Sequence, residues 1–346
     1  MNNESLNSGR SLVTADEWFA GGRRVSYDPA GRRILPGTGS ASTLRVFERL
    51  AEPAGGTAED AVWLTMLPGF PDGSYGWAQV DPLLGHELTP RLYVEPVGQG
   101  ESDKPRDYPY STMERADLVQ ALWRHHGVRQ TVVVAFDYTS LAVLELLRRQ
   151  LERPDGSSET TIIAVFMING GLFADRHSHP LLGTPLLRSR LGAYGMRQWQ
   201  ASLPPFAISM RRAKMYSRRY RPTQEELAQM WSAITRRDGA AFAHNAAGFL
   251  AEHGQNADRW DLAAIDRELD GTVALYVGGS EQDAYEHRQL PATRSRAPRV
   301  PVLTFPGGHL TTSEHPDLLA QQIRIIAGRH GVGAVATSTR SVYKAT

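Results

Sequence analysis

The sequence predicts an α/β protein: a mostly parallel sheet flanked by helices, with a helical lid inserted late in the chain. Three observations predict it. Short apolar runs at residues 62–66, 92–95, 131–135, 160–168, 272–277 and 300–305 have the length of buried strands. Helical patterns at 113–126, 141–151 and 313–327 alternate with them, as parallel sheets require. Between 172 and 267 the alternation stops, and helical segments with proline breaks take over.

Taken in order, the first forty residues are rich in Gly, Ser and Arg and read as a frayed end followed by edge strands at 24–27 and 43–48. Residues 51–59 read as a turn-rich connection. The run at 62–66 ends in Pro68-Gly69-Phe70-Pro71, a strand meeting a tight loop. The run at 92–95 is closed by Gly98 and Gly100. The helix at 113–126 places Leu118, Leu122 and Trp123 on one face. Val132-Val133-Val134 fits a central strand buried on both faces. Helices are expected at 185–191, 198–202, 224–235 and 240–252. The resulting division is a core of residues 1–171 and 268–331, a lid of 172–267 and a loose tail of 332–346.

Composition narrows the function. With 346 residues, 41% of them hydrophobic, the chain can bury a large core. Thirty-eight basic and 37 acidic residues nearly cancel, and no basic tract points to a nucleic acid or an anionic membrane. There is no cysteine, which removes disulfides, thiolate metal sites and a cysteine nucleophile. The first ten residues lack the apolar run of a signal peptide, and no apolar stretch approaches the roughly 20 residues that cross a bilayer. The expectation is a soluble cytoplasmic protein acting on a small molecule without a metal or cofactor; oligomeric state is not legible.

The chemistry centres on Ala135-Phe136-Asp137-Tyr138-Thr139, where a buried strand turns directly into a helix. Such a corner lifts one side chain above the sheet edge and needs small neighbours two places either side; here the lifted residue is Asp137. Helix N-capping is the other job for an aspartate in this place. Phe70, in the Pro-Gly-Phe-Pro loop, offers a backbone N–H to the same point, and the Tyr138 N–H offers a second. His309, after Gly307-Gly308, lies between the last strand and the last helix, where it can fall back over the sheet edge. Asp283 is the preferred acid to orient that imidazole, with Glu281 an alternative in the same loop. The order nucleophile, acid, histidine is the one such sheets use.

These residues make the chain similar to the α/β-hydrolases of the epoxide hydrolase and haloalkane dehalogenase group, from about Trp18 to Gly328. Pro68-Gly69-Phe70-Pro71 resembles that group's His-Gly-x-Pro loop, and the segment from Glu95 to Pro105 resembles its Asp-x-x-Gly-x-Gly-x-Ser-x-x-Pro segment. Phe136-Asp137-Tyr138 resembles its His-Asp-Trp/Tyr elbow. Asn169-Gly170-Gly171-Leu172-Phe173, His179-Pro180-Leu181-Leu182 and Arg221-Pro222-Thr223 are similar to the lid of the mesoderm-specific transcript branch.

The resemblance implies two steps: Asp137 attacks an epoxide carbon to give an ester, and His309, held by Asp283, activates the water that cleaves it. Lid tyrosines would donate a proton to the ring oxygen. Phe249 stands where that branch has one such tyrosine, leaving Tyr194, Tyr216 and Tyr220, of which Tyr216 is preferred. Pro68, Phe136, Thr139 and Ser140 depart from the group's pattern. The main expectation is therefore hydrolysis of a mainly apolar epoxide. Haloalkane dehalogenation, and a fold that has lost hydrolysis and instead binds, isomerises or cyclises a ligand, are the alternatives. The arginine-rich stretch at 211–219 reads as a solvated lid face, with an acidic substrate as the minority use. Trp199, Phe206, Trp231 and Phe242 read mainly as lid core.

Overall fold

The structure, a computed structural model, describes residues 11–37, 39, 42–105, 107–154, 159–178, 203–239 and 249–333. The predicted helices at 185–191 and 198–202, residues 240–248, the tail from 334, the His179–Leu182 motif, and Tyr194, Trp199 and Phe242 lie outside them.

Nine strands form one sheet: β1 (Arg23–Asp28), β2 (Arg33–Leu35), β3 (Leu44–Ala51), β4 (Val62–Leu67), β5 (Arg91–Val94), β6 (Gln130–Phe136), β7 (Thr161–Ile168), β8 (Ala274–Ser280) and β9 (Val302–Phe305). Their order is β2-β1-β3-β5-β4-β6-β7-β8-β9. β4 to β9 run parallel to one another, while β1 and β2 pair antiparallel at one end and β3 pairs antiparallel with both β1 and β5. β6 is central because both of its faces are apolar. Val133 and Ala135 enter one core cluster while Val132, Val134 and Phe136 enter the other, each large aliphatic contributing about 1.5–3 kcal/mol on burial. A strand buried on both faces can only sit mid-sheet. That places its carboxyl end, and Asp137, at the middle of the sheet's edge.

The flanking helices follow local signals. Thr112–His125 starts at Ser111, whose hydroxyl accepts the Glu114 N–H. Thr139–Leu151 packs a nearly continuous apolar surface against β6 and β7. Between β7 and β8 the described segments contain the helices Leu203–Arg212, Gln224–Thr235, Phe249–Gln255 and Leu262–Leu269.

Three expectations are corrected here. The frayed start gives way to a helix at Ala15–Ala20, because Thr14 and Glu17 form a reciprocal capping box that satisfies its first donors. β3 extends through Ala51, so the turn-rich connection begins later, since Ala51 still pairs with Arg91. The closing helix is two pieces, Thr311–Glu314 and Pro316–Arg329. Proline suits the first position of a helix and breaks an interior, so Pro316 starts a new one.

Candidate active site

Asp137 occupies the corner between β6 and the helix Thr139–Leu151, at φ 58°. A non-glycine residue there is uncommon and strained, and persists where surroundings hold it. They do so here. The Asp137 N–H donates to Ile168 O at 2.8 Å, and Asp137 O accepts the Ser140 N–H at 3.1 Å. Thr139, larger than the usual small residue, turns its hydroxyl to Phe136 O at 2.9 Å. Gly170 presses on the same corner: a Cβ there would come within 1.9 Å of Ser140 Oγ and 2.9 Å of Asp137 O. The corner thus needs a residue without a side chain at the end of β7.

The buried Asp137 carboxylate has two distinct oxygens. Oδ2 accepts the Phe70 N–H at 3.0 Å. Oδ1 lies 3.4 Å from His309 Nε2, a contact of opposite charges rather than a tight hydrogen bond. On the other side of the ring, Nδ1 lies 2.9 Å from Asp283 Oδ2. Glu281 is elsewhere: it is exposed and 3.6 Å from Arg294. Burial disfavours the imidazolium, but Asp283 and Asp137 together outweigh it and hold the His309 pKa well above its ordinary value. The ring lies between Phe136 and Tyr285, with centroids 5.6 and 5.4 Å away.

Residues to which the sequence assigned no part in the site hold His309 from behind. Asn169 Nδ2 donates to His309 O at 2.6 Å and to Thr311 Oγ1 at 3.0 Å, while its Oδ1 accepts the Ser280 N–H. Buried Glu314 accepts the Gly308 N–H at 2.9 Å and both the N–H and hydroxyl of Ser217. The Leu310 N–H donates to Met215 O, and the Tyr285 hydroxyl donates to Ala213 O. Segment 213–217, which lies between β7 and β8, is therefore fastened to the histidine's loop.

Tyr138, next to the corner, is buried, with the Arg115 guanidinium 4.6 Å from its ring centroid. Its hydroxyl donates to Gln99 Oε1 at 3.2 Å. Tyr216 does not turn to Asp137. Its ring stacks on Tyr220, and its hydroxyl lies 4.0 Å from Met230 Sδ, because its backbone is packed on the Gly308 loop. The Tyr220 hydroxyl donates to Glu226 Oε1 at 2.5 Å. Arg211, Arg212, Lys214, Arg218 and Arg219 are exposed, Phe206 is buried and Trp231 half-buried. The Phe249 side chain lies outside the described atoms.

Asp72 was also missed. It follows Pro71 directly, is 3% exposed, and lines a cavity of about 30 Å³ with Tyr75, Tyr216 and Tyr220. Burial pushes its carboxyl up to about 7; Asp137 adds to this, while a backbone hydrogen bond and His309 oppose it. The signal was an acid immediately after a loop already assigned to the site. Among the described residues, the grouping with metal-ligand chemistry is Glu48, His125 and His126. There, Glu48 Oε1 already takes Arg23 at 2.9 Å and Oε2 takes His126 at 2.7 Å. Among the described residues no helix is long and apolar enough to cross a membrane.

Residues 66–322 match the family model described as "Alpha/beta hydrolase family". The mouse mesoderm-specific transcript protein is 30% identical over 219 residues, 63% of this chain and 63% of that protein. The chain thus spans less than two thirds of that relative's length. A thermophilic esterase from Thermogutta terrifontis superposes with a TM-score of 0.63 at 16% identity, covering 89% of this chain and 99% of that one. The haloalkane dehalogenase DbeA from Bradyrhizobium elkani superposes with a TM-score of 0.59 at 17% identity, covering 83% and 94%. These likenesses share a fold. With a family model matching well over half its length, the chain belongs to the alpha/beta hydrolase family.

Proposed function

We propose that the protein is a cofactor-independent hydrolase that opens a mainly apolar epoxide through an ester on Asp137. The observation that carries this is the division of labour between the two Asp137 oxygens. Oδ2 is held by the Phe70 N–H, while Oδ1 faces His309. In the first step Oδ1 bonds to an epoxide carbon, that carbon's bond to the ring oxygen breaks, and the oxygen takes a proton. The acid assigned to that proton in place of Tyr216 is Asp72, which is buried directly after the loop carrying Phe70, lines a cavity with Tyr216, and has its carboxyl raised by burial to about 7, so that it is largely protonated below that pH. Esterification removes the Asp137 charge, and with it one of the two carboxylates that hold the imidazolium protonated. His309 then gives up its proton to solvent more easily, and the neutral ring can take one from the attacking water. The hydroxide adds to the Asp137 carboxyl carbon and Oδ2 carries the resulting charge against the Phe70 N–H; the bond from that carbon to Oδ1 then breaks, the diol leaves with Oδ1 and the proton from His309, and the new Asp137 carboxyl returns its proton to the ring.

Dehalogenation is disfavoured by Tyr138. An indole N–H would hold a halide at that place, whereas the Tyr138 hydroxyl is directed to Gln99.

The test is mass spectrometry after exposure to a panel of terminal and aryl epoxides. His309→Gln should accumulate an ester on the peptide carrying Asp137, and Asp137→Asn should show none. Full turnover by Asp137→Asn would refute the covalent route. Asp72→Asn should slow ester formation by about 10²–10⁴-fold, the usual weight of a general acid, with hydrolysis of a preformed ester little changed.

A further inference from the structure

The Gly69–Phe70 peptide is trans and planar, so its carbonyl and its N–H point in opposite directions. Whatever fixes one end fixes the other. The N–H end rests on Asp137 Oδ2 at 3.0 Å. The carbonyl end, Gly69 O, accepts Gln99 Nε2 at 3.1 Å. The other end of the Gln99 amide, Oε1, accepts the Tyr138 hydroxyl at 3.2 Å. Tyr138 follows Asp137 in the chain, so the circuit closes: Asp137, Tyr138, Gln99, the Gly69–Phe70 peptide, and back to Asp137.

The Gln99 and Tyr138 side of the circuit is shut off from solvent, and the circuit cannot easily slip. Gln99 is 5% exposed and Tyr138 is 2% exposed. Arg115 lies over the Tyr138 ring and donates to Tyr110 O at 2.9 Å, which holds the ring in place. Gly69 is pressed against the corner, where a Cβ would meet Phe136 Cδ1 at 2.5 Å and Asp137 Cβ at 3.1 Å. The loop carrying Gln99 is itself tied down by Lys104 Nζ, which donates to Gly100 O and Ser102 O. The Gln99 amide meets both partners by offering a donor to one and an acceptor to the other.

We propose that Gln99 is a positioning residue for the reaction. It never touches the substrate; by holding the Gly69 carbonyl it aims the Phe70 N–H at the oxygen of Asp137 on which charge develops. The catalytic weight of the circuit rests on the reading of Asp137 as nucleophile, while its geometry does not. It also gives the Tyr138 hydroxyl a purpose, as the anchor that ties the donor's orientation to the residue beside the nucleophile.

Two measurements test this. In protein labelled with ¹⁵N-phenylalanine, the chain's 10 phenylalanines give few amide signals, and the one lost in Phe70→Leu is Phe70. Gln99→Leu should shift that amide and speed its hydrogen exchange at least tenfold, and Tyr138→Phe should do the same to a smaller degree. With His309 in place, Gln99→Leu should slow decay of the styrene oxide ester on Asp137 about 10–100-fold in single-turnover experiments, because charge develops on Oδ2 in that step, while formation of the ester changes little. Complete loss of an oxyanion donor costs about 10²–10³-fold, so misdirecting one should cost somewhat less. Should Gln99→Leu unfold, Tyr138→Phe decides, since it removes one hydroxyl and keeps the ring. A Phe70 amide unchanged in both shift and exchange would overturn the proposal. A Phe70 amide that responds while unsubstituted Asp137 takes up no epoxide would uphold the circuit and defeat the nucleophile reading instead.

Discussion

Two buried histidines, His309 and His253, sit in hydrogen-bonded chains of titratable groups and are driven in opposite directions. His309 has a carboxylate at each ring nitrogen, Asp283 at 2.9 Å and Asp137 at 3.4 Å, and its pKa is held well above the ordinary value. The nearest partner of His253 is another imidazole: its Nδ1 is 2.7 Å from His177 Nε2, and the carboxylate of the chain, Glu286, lies beyond His177 at 2.9 Å. Burial and then His177 push the His253 pKa down to about 4. Both rings have lost their water, so desolvation cannot explain the difference. Its source is the distance to negative charge: a carboxylate in contact outweighs burial, and one placed a ring further away does not. The first arrangement suits proton transfer. The second, joining the helix Phe249–Gln255 to the loops after β7 and β8, suits holding parts together.

The largest expected effect comes from removing that contact charge at His309. Asp283→Asn keeps the shape of the side chain but deletes one of the two carboxylates, and it can present the wrong hydrogen-bonding group to Nδ1. Turnover should fall by about 10³–10⁴-fold, as when the orienting acid of a triad is lost. The His309 pKa, followed by NMR titration of the ring, should drop toward that of an ordinary buried histidine. An unchanged ring titration in Asp283→Asn would break the comparison at its root.

The parts of this arrangement that were legible in the sequence are those encoded locally. The Val132-Val133-Val134 run followed at once by Asp137 announces a buried strand ending in a sharp corner, and Pro68-Gly69-Phe70-Pro71 and Gly307-Gly308-His309 announce loops after strands. Asp283 over Glu281 was a choice between two side chains of one turn, and only the direction each takes separates them. Gln99 acts on Gly69 across 30 residues, and Asn169 on His309 across 140. No periodicity carries such pairings, because they arise when the sheet order brings loop ends together. His177 and Glu286 are likewise 109 residues apart. Thr14-Ala15-Asp16-Glu17 is different: its capping box is a local signature that was available and was outweighed by the Gly- and Ser-rich surroundings.

The next effect concerns the joining role assigned to the second chain. Glu286 is 4% exposed and accepts from His177 Nδ1 and from Gln289 Nε2 at 3.0 Å. Glu286→Ala leaves both donors buried beside a cavity, which should cost about 3–5 kcal/mol by urea unfolding. The His253 pKa should fall further still, because Glu286 is among the groups that raise it. Ester formation at Asp137 should be much less affected than stability. A variant that keeps its stability and loses its chemistry would reverse the roles given to the two chains.

The smallest effect is a slope rather than a step. Its sign follows from the direction of the His253 shift. A histidine at about 4 in the native state and near 6.5 when unfolded binds fewer protons folded than unfolded between those values. Its neutral form therefore contributes stability that is complete above about pH 6.5 and is lost as pH falls toward 4. The difference between about 4 and 6.5 corresponds to roughly 3–4 kcal/mol at most, and less where His177 and Glu286 readjust. His309, with its raised pKa, leans the other way: its contribution is present below about pH 6.5 and is lost as pH rises through its native value. Urea unfolding at half-unit steps from pH 4.5 to 7.5 separates them. His253→Gln should flatten the acid side of the stability curve relative to the parent, while His309→Gln should leave that side steep and alter the curve toward neutral pH and above. If both substitutions change the same limb of the curve, contact with a carboxylate is not what distinguishes the two histidines, and a group common to both surroundings must set their charge.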